Sequence, residues 1–477
     1  MPRFCRLALA AVLLLAPLPS TAAASGLPKP VAEALRAASV PLRAVAVVVQ
    51  EVGAARPAVS MNAEAAMNPA SAMKLFTTLA ALELLGPAYH WKTEVYAAGP
   101  LRDGVLEGDL VLKGYGDPKL DYESFWMLLR TLRGKGLREI RGDVLIDRRF
   151  FAPLAGDPGD FDGEALRPYN VLPDALLVHY KALRFAFVPL ADGAGVRIYA
   201  EPRPPALEVK NSLRLSSGPC FEGRAFRTLL QASFEPGPPP RAAFEGRYPI
   251  ACGEKDLNVA FLPPDEHVGG VLRELWSEMG GAWSGRAREG AVPEAAQLLH
   301  THESAPLAEI VRDVNKFSNN VMARQLFLTL ATAGYEPPAQ LHQAQQVLRH
   351  WLNLKGIAAP ELSIENGSGL SRTDRASAAT LAAVLQAAWK SAVMPEYIAS
   401  LPLAALDGTM RKRLHGEPVA GQAHMKTGLL SDARALAGYL LDAKGRRQIV
   451  VMLMNHPNAP EAEAANDALL RWVYEAK

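Results

Sequence analysis

The sequence predicts an α+β protein: an antiparallel sheet with helices on both faces, built from the two ends of the chain and interrupted by a β-rich insertion. Apolar runs near the N-terminus and in the C-terminal third supply the strands, with helical patterns around them. The terminal strands are predicted at 44–52, 58–62, 422–429, 435–441 and 448–455. Because these strands and helices could complete one sheet, we expect a single domain that carries the middle of the chain as an insertion.

The first 24 residues are typical of a secretory signal peptide. Arg3 and Arg6 precede an apolar run at 7–19, and small residues lead to a cleavage site near Ala24. A membrane anchor is the alternative, but the run is shorter than the ~20 residues that a spanning helix needs. We therefore expect an exported, periplasmic protein with no transmembrane anchor.

Composition indicates an ordinary globular protein. Of 477 residues, 49% are hydrophobic and 21% charged, and the net charge of +2 argues against a nucleic-acid partner. Cys220 and Cys252 follow the leader and form a possible disulfide in an exported chain, with two buried thiols as the alternative. Neither lies in a His/Cys cluster typical of a zinc site, and we expect no metal and no cofactor.

The first long helix carries a candidate nucleophile and base. Asn68 is a suitable N-cap and Pro69 fits the first helical position, while Gly86-Pro87 ends the helix. Ser71 then lies where backbone N–H groups lack partners and can stabilise an oxyanion. Lys74 follows one turn later on the same face, within reach of the Ser71 hydroxyl. A lysine acts as a base only if burial or a nearby cation disfavours its charged form; the alternative is a solvated lysine.

The middle of the chain alternates β-like runs with turn clusters, which indicates one or two β-rich modules. The runs lie at 108–113, 142–147, 182–189, 197–200 and 206–215. Helical patterns return near Pro306. These helices are predicted at 306–315, 321–332, 341–355, 376–389 and 461–473.

Ser318 and Asn320 are predicted to lie in a short link between two of these helices. The hydroxyl could pass a proton to a leaving amine, and the amide could orient Lys74 and the substrate's peptide bond. The alternative is helix capping before Val321. The same spacing occurs at Ser60-Met-Asn62, but that pair precedes the nucleophile within a probable strand, so we set it aside.

Lys426-Thr427-Gly428 falls in one of the C-terminal strands. Lysine and a hydroxyl together suit a terminal carboxylate, and the glycine would allow another backbone to approach closely. Lys426 could also be the cation that depresses the pKa of Lys74, and Leu429 could offer a second oxyanion amide. The alternative is an edge strand with a solubilising lysine.

Three other polar residues are assigned no chemistry. His424 is interpreted as a packed or surface histidine because Lys74 is available as the base. Asp117 in Gly-Asp-Pro and Asp407 in Asp-Gly-Thr are interpreted as turn formers.

With these motifs in order, the chain resembles the low-molecular-mass class C penicillin-binding proteins, which are D-alanyl-D-alanine carboxypeptidases/endopeptidases. The resemblance covers nearly the whole mature chain and extends to the following segments: Leu85 to Pro87, Gly116 to Pro118, Gly367 to Arg372, Leu401-Pro402, Asp407 to Thr409 and Leu436 to Tyr439. The family usually has Asp where this chain has Asn366.

The resemblance implies a β-lactamase/transpeptidase-like domain with two inserted β-rich modules. The catalytic domain is predicted at 25–96 and 301–477, module II at 97–165 and 263–300, and module III at 166–262. The long interval between Ser71 and Ser318 agrees with such an insertion, whereas class A β-lactamases lack it. Those enzymes also use a Glu-x-x-Leu-Asn element for deacylation, but Arg349 stands where that glutamate would be.

The implied activity is hydrolysis of peptidoglycan peptides through an acyl-enzyme on Ser71. Lys74 would accept the hydroxyl proton in both half-reactions, and Ser318 with Asn320 would deliver it to the leaving amine. Lys426 and Thr427 would hold the carboxylate, next to Gly428 and the amide of Leu429. β-Lactams are the implied covalent inhibitors. A serine β-lactamase and a catalytically inert cell-wall-binding protein are the alternatives.

Overall fold

The structure, a computed structural model, describes residues 26–191, 193–220 and 230–475. The predicted signal peptide lies outside these ranges. None of the helices within them is long and apolar enough to cross a membrane.

The N-terminal segment supplies two strands and the helix that follows the candidate nucleophile. It contains α1 (Lys29–Ala37), β1 (Val45–Glu51), β2 (Val59–Met61) and α2 (Lys74–Leu85). β1 is apolar from Val45 to Val49 because its alternate side chains pack into two different cores. Ala46 and Val48 join the core around α2, whereas Val45 and Val47 join the core around α1.

The inserted part holds most of the remaining strands. In chain order its elements are β3 (Lys92–Ala98), β4 (Leu101–Arg102), β5 (Val105–Leu106), β6 (Asp109–Gly114), α3 (Tyr122–Gly134), β7 (Glu139–Ile140), β8 (Val144–Asp147), β9 (Leu183–Pro189), β10 (Val196–Glu201), β11 (Glu208–Ser216), β12 (Leu230–Glu235), β13 (Arg241–Pro249), β14 (Lys255–Val259), α4 (Pro264–Glu278), β15 (Ala282–Trp283), β16 (Ala287–Glu289) and β17 (Gln297–Glu303).

The C-terminal part returns to helices and then to the main sheet. Its elements are α5 (Leu307–Lys316), α6 (Asn320–Thr329), α7 (Leu341–Leu354), α8 (Ala378–Trp389), α9 (Met394–Ser400), β18 (Ala423–Leu429), β19 (Ala433–Leu441), β20 (Arg447–Asn455) and α10 (Glu463–Glu475).

The two ends of the chain form one five-stranded antiparallel sheet in the order β18-β19-β20-β1-β2. One face packs on α2, α5, α6, α7 and α8, and the other packs on α1 and α10. This confirms the predicted antiparallel sheet with helices on both faces. The two ends of the chain meet where β1 pairs with β20, and Val48 lies opposite Val451 in this pair.

The insertion forms two separate apolar cores, which confirms two inserted β-rich modules. The first has sheets in the orders β16-β8-β6-β3-β17 and β15-β7-β5-β4, packed on α3 and α4. The second has the sheets β10-β9-β14 and β11-β13-β12 around Phe185, Phe187 and Phe244.

The boundaries of the modules stay a prediction. Two of the expected boundaries, between 96 and 97 and between 300 and 301, fall inside β3 and β17. These two strands pair with each other, so the first inserted sheet extends from Lys92 to Glu303. Cys220 and Cys252 form a disulfide in the second module.

Candidate active site

Ser71 lies on a short turn that leads into a buried helix. The Asn68 side chain accepts a hydrogen bond from the Ala70 N–H at 2.9 Å, and Ala70 has a φ of 45°. A regular helix cannot run through that left-handed residue. A 3₁₀ turn, Ala70–Met73, therefore carries Ser71, and α2 begins only at Lys74. The prediction that the helix starts at Pro69 was wrong for this reason.

Lys74 is fully buried at the start of α2, which excludes the solvated alternative. Its Nζ lies 3.0 Å from Ser71 Oγ, 2.6 Å from Asn320 Oδ1 and 2.5 Å from the Ser368 carbonyl oxygen. The last two atoms can only accept hydrogen bonds. A neutral amine has two hydrogens and one lone pair, so donation to both acceptors leaves the lone pair for the Ser71 hydroxyl. This geometry is that of a base beside its nucleophile.

The electrostatic surroundings of Lys74 favour the neutral form. Burial lowers the pKa of Lys74 well below its usual value, and the positive charges of Lys426 and Arg324 lower it further. The nearby Asp374 carboxylate acts in the opposite direction. The structure thus brings Lys426 close enough to act as the second cation that the sequence suggested.

Ser318 lies in the short link between α5 and α6, as predicted, whereas Asn320 is the first residue of α6. Capping of α6 is performed by Asn319, whose side chain accepts from the Met322 N–H at 3.1 Å. Ser318 and Asn320, the neighbours of Asn319, are therefore not needed as caps. The Asn320 side chain instead contacts Lys74. Ser318 has a φ of 54°, an unfavourable backbone conformation that surrounding contacts must maintain.

Lys426 lies on β18, an edge strand, but its side chain is fully buried. The ammonium group donates to Ser318 Oγ at 2.9 Å and to the Thr427 carbonyl at 2.6 Å. Burial lowers the pKa of Lys426 to about 7. It is therefore not a solubilising edge lysine, and a bound carboxylate would favour its charged form.

Close backbone contacts hold β18 against the nucleophile turn. A Cβ placed on Gly428 would lie 2.8 Å from the Pro69 carbonyl oxygen and 2.9 Å from the Ser71 nitrogen. The strand can approach this closely only with glycine at position 428. The neighbouring Leu429 has an exposed side chain, and the oxyanion role assigned to its amide stays a prediction.

Sequence reasoning missed the contribution of the loop at 366–370. The loop supplies the Ser368 carbonyl to Lys74, and it is shaped by Asn366, whose side chain accepts from the Ser368 N–H at 3.1 Å. Gly369 has a φ of 77°, and a Cβ there would lie 1.9 Å from the Ala70 carbonyl oxygen. The Gly-Ser-Gly motif marked this loop as special, but a contact made by a backbone carbonyl has no side-chain signature.

The remaining candidates take structural positions, with one correction. His424 is half-buried, and within the described residues none of its hydrogen bonds goes to Ser71 or Lys74. Asp117 accepts from the Lys119 N–H at 2.8 Å, as a turn former does. Asp407 does more than form a turn, because its carboxylate pairs with the buried Lys316 at 2.7 Å.

The structure therefore brings together a candidate nucleophile, a desolvated amine, a second hydroxyl and a second buried lysine, joined by hydrogen bonds. A sequence model of the D-Ala-D-Ala carboxypeptidase 3 (S13) family matches residues 27–476. The chain is 24% identical to the D-alanyl-D-alanine carboxypeptidase DacB of Haemophilus influenzae, over 84% of this chain and 83% of that protein. It is 28% identical to the D-alanyl-D-alanine carboxypeptidase of Actinomadura sp. (strain R39), over 84% and 76%.

Solved structures show the same fold. Penicillin binding protein 4 (dacB) from Haemophilus influenzae superimposes with a TM-score of 0.75 at 23% identity, covering 93% of this chain and 99% of that chain. That protein has also been solved in complex with a β-lactam. The fold is the one that the resemblance to penicillin-binding proteins implied.

Proposed function

This chain belongs to the D-Ala-D-Ala carboxypeptidase 3 (S13) family, and from that premise we propose that it hydrolyses the peptide bond following a D-alanine in peptidoglycan stem peptides through an acyl-enzyme on Ser71. It is a serine-type peptidase of the D-Ala-D-Ala carboxypeptidase class. The assignment of residues rests on the buried Lys74 amine, which has two acceptors for its hydrogens and Ser71 Oγ beside its lone pair.

In acylation, Ser71 Oγ attacks the carbonyl carbon while its proton passes to Lys74 Nζ. The oxyanion is stabilised by the backbone N–H groups of Ser71 and Leu429. The C–N bond then breaks, and the proton that Lys74 accepted passes to the leaving amine through Ser318 Oγ, which Lys426 contacts at 2.9 Å, so Lys74 is neutral again. Asn320 holds Lys74 in place and orients the peptide bond of the substrate.

In deacylation, water attacks the ester and Lys74 accepts its proton. The ester bond breaks, the new carboxylic acid leaves, and the proton returns to Ser71 Oγ. Lys74 is assigned to both half-reactions because Arg349 stands where the Glu-x-x-Leu-Asn element of class A β-lactamases would have its glutamate. The Arg349 guanidinium donates to the Leu362 carbonyl at 2.8 Å. Lys426 and Thr427 bind the carboxylate of the leaving residue.

Two products are compatible with this chemistry. Release of a terminal D-alanine is carboxypeptidase activity, and release of a cross-linked diamino acid is endopeptidase activity. Both substrates belong to the cell wall, so we propose that the chain acts in the periplasm after export. β-Lactams, which mimic the acyl donor and carry a carboxylate, would acylate Ser71.

Intact-mass measurement after incubation with penicillin tests the proposal. We expect a stable adduct of one penicillin on the wild-type chain and none on Ser71→Ala, because only the serine supplies the attacking oxygen. Ser60→Ala, in the set-aside motif on β2, is the matched control and should be labelled like the wild type.

Two other outcomes would replace the proposal. Rapid turnover of penicillin with no lasting adduct would identify a serine β-lactamase. Binding of wall fragments by a chain that penicillin never labels would identify an inert wall-binding protein. Product analysis on a pentapeptide and on a cross-linked dimer then separates the two hydrolyses.

A further inference from the structure

We propose that the loop Asp407-Gly408-Thr409 is part of this active site. In our assignment the Thr409 hydroxyl is a further ligand of the substrate carboxylate, and the Lys316–Asp407 ion pair positions Ser318. The inference rests on the proposed function, because it assigns partners to the carboxylate and to the leaving amine of that reaction.

Thr409 lies at the carboxylate-binding end of the cleft. Its Oγ1 is 2.7 Å from Thr427 Oγ1, on the residue next to Lys426. Without substrate the two hydroxyls satisfy each other. A carboxylate can accept from both at once, so binding would replace one neutral hydrogen bond by two charge-assisted bonds. Thr409 is exposed at the cleft, so its hydroxyl is accessible to a ligand.

The Lys316–Asp407 pair ties this loop to the segment that carries Ser318. The side chain of Lys316 is buried, and its ammonium donates to the Leu401 carbonyl and to Asp407 Oδ2, both at 2.7 Å. The other oxygen of Asp407 accepts from the Leu403 N–H at 2.8 Å. The backbones also touch, since a Cβ on Gly408 would lie 2.5 Å from the Lys316 carbonyl oxygen.

These contacts form a closed ring of residues, linked by hydrogen bonds or by the chain itself, that begins and ends at the segment carrying Ser318. Lys316 is two residues before Ser318, and Asp407 is two residues before Thr409. From Thr409 the ring continues through Thr427 to Lys426, whose ammonium returns to Ser318 Oγ at 2.9 Å. Ser318 needs such support, because its φ of 54° is unfavourable for a residue other than glycine.

Carboxylate binding by Thr409 and positioning of Ser318 can be tested separately with three acyl donors that share the same acyl group and differ in the leaving group. The first is a peptide ending in D-Ala-D-Ala; the second is a thioester whose leaving thiol carries a carboxylate; the third is the same thioester with a carboxamide. The peptide and the first thioester need carboxylate recognition. Only the peptide needs a proton on its leaving group, because a thiolate leaves unprotonated. The measurement is the second-order rate constant of acylation.

Thr409→Val tests the carboxylate ligand. We expect acylation by the peptide and by the carboxylate thioester to fall roughly tenfold or more, as for loss of a hydrogen bond to a charged group. Acylation by the carboxamide thioester should change less than about twofold, within the effect of a neutral surface change. Thr409→Ser should retain the wild-type pattern, and Thr131→Val, the same change on α3, should alter none of the rates. Equal loss on all three donors, or no loss, would overturn the assignment.

Asp407→Asn tests the positioning pair. We expect acylation by the peptide to fall about tenfold more than acylation by the carboxylate thioester, since general acid catalysis contributes at least that much. Both donors carry the carboxylate, so any effect on its binding cancels in this ratio. A purely structural effect would slow both equally and would refute the positioning role. If Asp407→Asn does not fold, Lys316→Arg, which keeps the charge but moves it, should show the same selective loss.

Failure of the inference is distinguishable from failure of the proposed function. If Ser71 is not the nucleophile, Ser71→Ala still forms the penicillin adduct. If only the inference fails, that adduct depends on Ser71 while the ratios between the three donors are unchanged by the variants.

Discussion

Two buried lysines with opposite tasks define this site at the scale of single residues. In the proposed mechanism, Lys74 must be neutral to accept a proton from Ser71, whereas Lys426 must be charged to hold a carboxylate. Burial lowers the pKa of both, and the charge of Lys426 contributes to the low pKa of Lys74. In this proposal the same cation therefore helps to activate the base and to bind the substrate.

The pKa of Lys426 leads to a prediction for the pH profile. As the pH rises through about 7, Lys426 in the free enzyme loses its proton, so kcat/KM for a substrate with a carboxylate should fall on the alkaline side. On the acid side kcat/KM should fall because Lys74 becomes protonated. A pH series on the wild type and on Lys426→Arg checks this: arginine stays charged, so the alkaline fall should disappear. An unchanged alkaline limb in Lys426→Arg would assign the titration to another group.

At the scale of elements, the site is held together by glycines where backbones nearly touch. The loop at 366–370 packs on the turn that carries Ser71, and β18 packs on the same turn. Both contacts leave no room for a side chain at Gly369 or Gly428. The position of the nucleophile thus depends on three chain segments that are distant in sequence.

Replacement of Gly369 by alanine should uncouple these segments. The new Cβ would lie 1.9 Å from the Ala70 carbonyl oxygen, so the turn must shift, and we expect penicillin acylation to fall by roughly a hundredfold, as for a displacement of about 1 Å at a catalytic group. Gly445→Ala is a matched control, because Gly445 has a φ of 76°, close to the 77° of Gly369, but no atom within 4 Å of its Cβ.

Gly445→Ala should therefore lose about 1 kcal/mol of stability from its left-handed backbone and keep the wild-type acylation rate. Thermal unfolding and stopped-flow acylation of the two variants give the comparison. Equal acylation rates in Gly369→Ala and Gly445→Ala would contradict the steric argument.

Sequence patterns predicted the elements better than their contacts. The strands of the main sheet and the helices of the C-terminal part were readable because apolar residues recur with the period of each element. The spacing of Phe125, Leu128, Leu129 and Leu132 could have predicted α3 by the same rule. The true start of α2 could not be read, because an alanine gives no sequence signal for the left-handed backbone that delays the helix at Ala70.

In the candidate site, too, the sequence indicated the side chains but not the contacts between distant segments. Ser71, Lys74, Ser318, Asn320 and Lys426 are side chains in recognisable motifs, and the structure brings them together. The Ser368 carbonyl and the Asp407 ion pair were missed because each acts through three-dimensional proximity. Asp407 lies 91 positions from Lys316, and no local pattern joins them.

At the scale of the whole molecule, the second inserted module has a core of its own, cross-linked by Cys220–Cys252. The disulfide spans 32 positions within that module. In the chain-entropy account, a loop of this length stabilises the folded state by up to about 4 kcal/mol. Its effect should be confined to the module, because the catalytic residues lie on the main domain.

Replacement of both cysteines by serine should lower the unfolding temperature of the module and leave the rate of penicillin acylation unchanged. Differential scanning calorimetry and the acylation assay measure the two effects. A reducing agent should reproduce the shift in the wild type and have no effect on the double variant. Slower acylation in the double variant would indicate that the module supports the catalytic site directly.

The pairing of β1 with β20 has a consequence for the way this enzyme comes into being. A ribosome delivers β1, β2 and Ser71 early, but β1 gains its second neighbour only when residues 447–455 emerge, and Lys426 also arrives late. Until those residues emerge, the main sheet lacks its C-terminal strands and the site lacks Lys426. In the proposed mechanism, hydrolysis therefore becomes possible only after the two ends of the chain have joined.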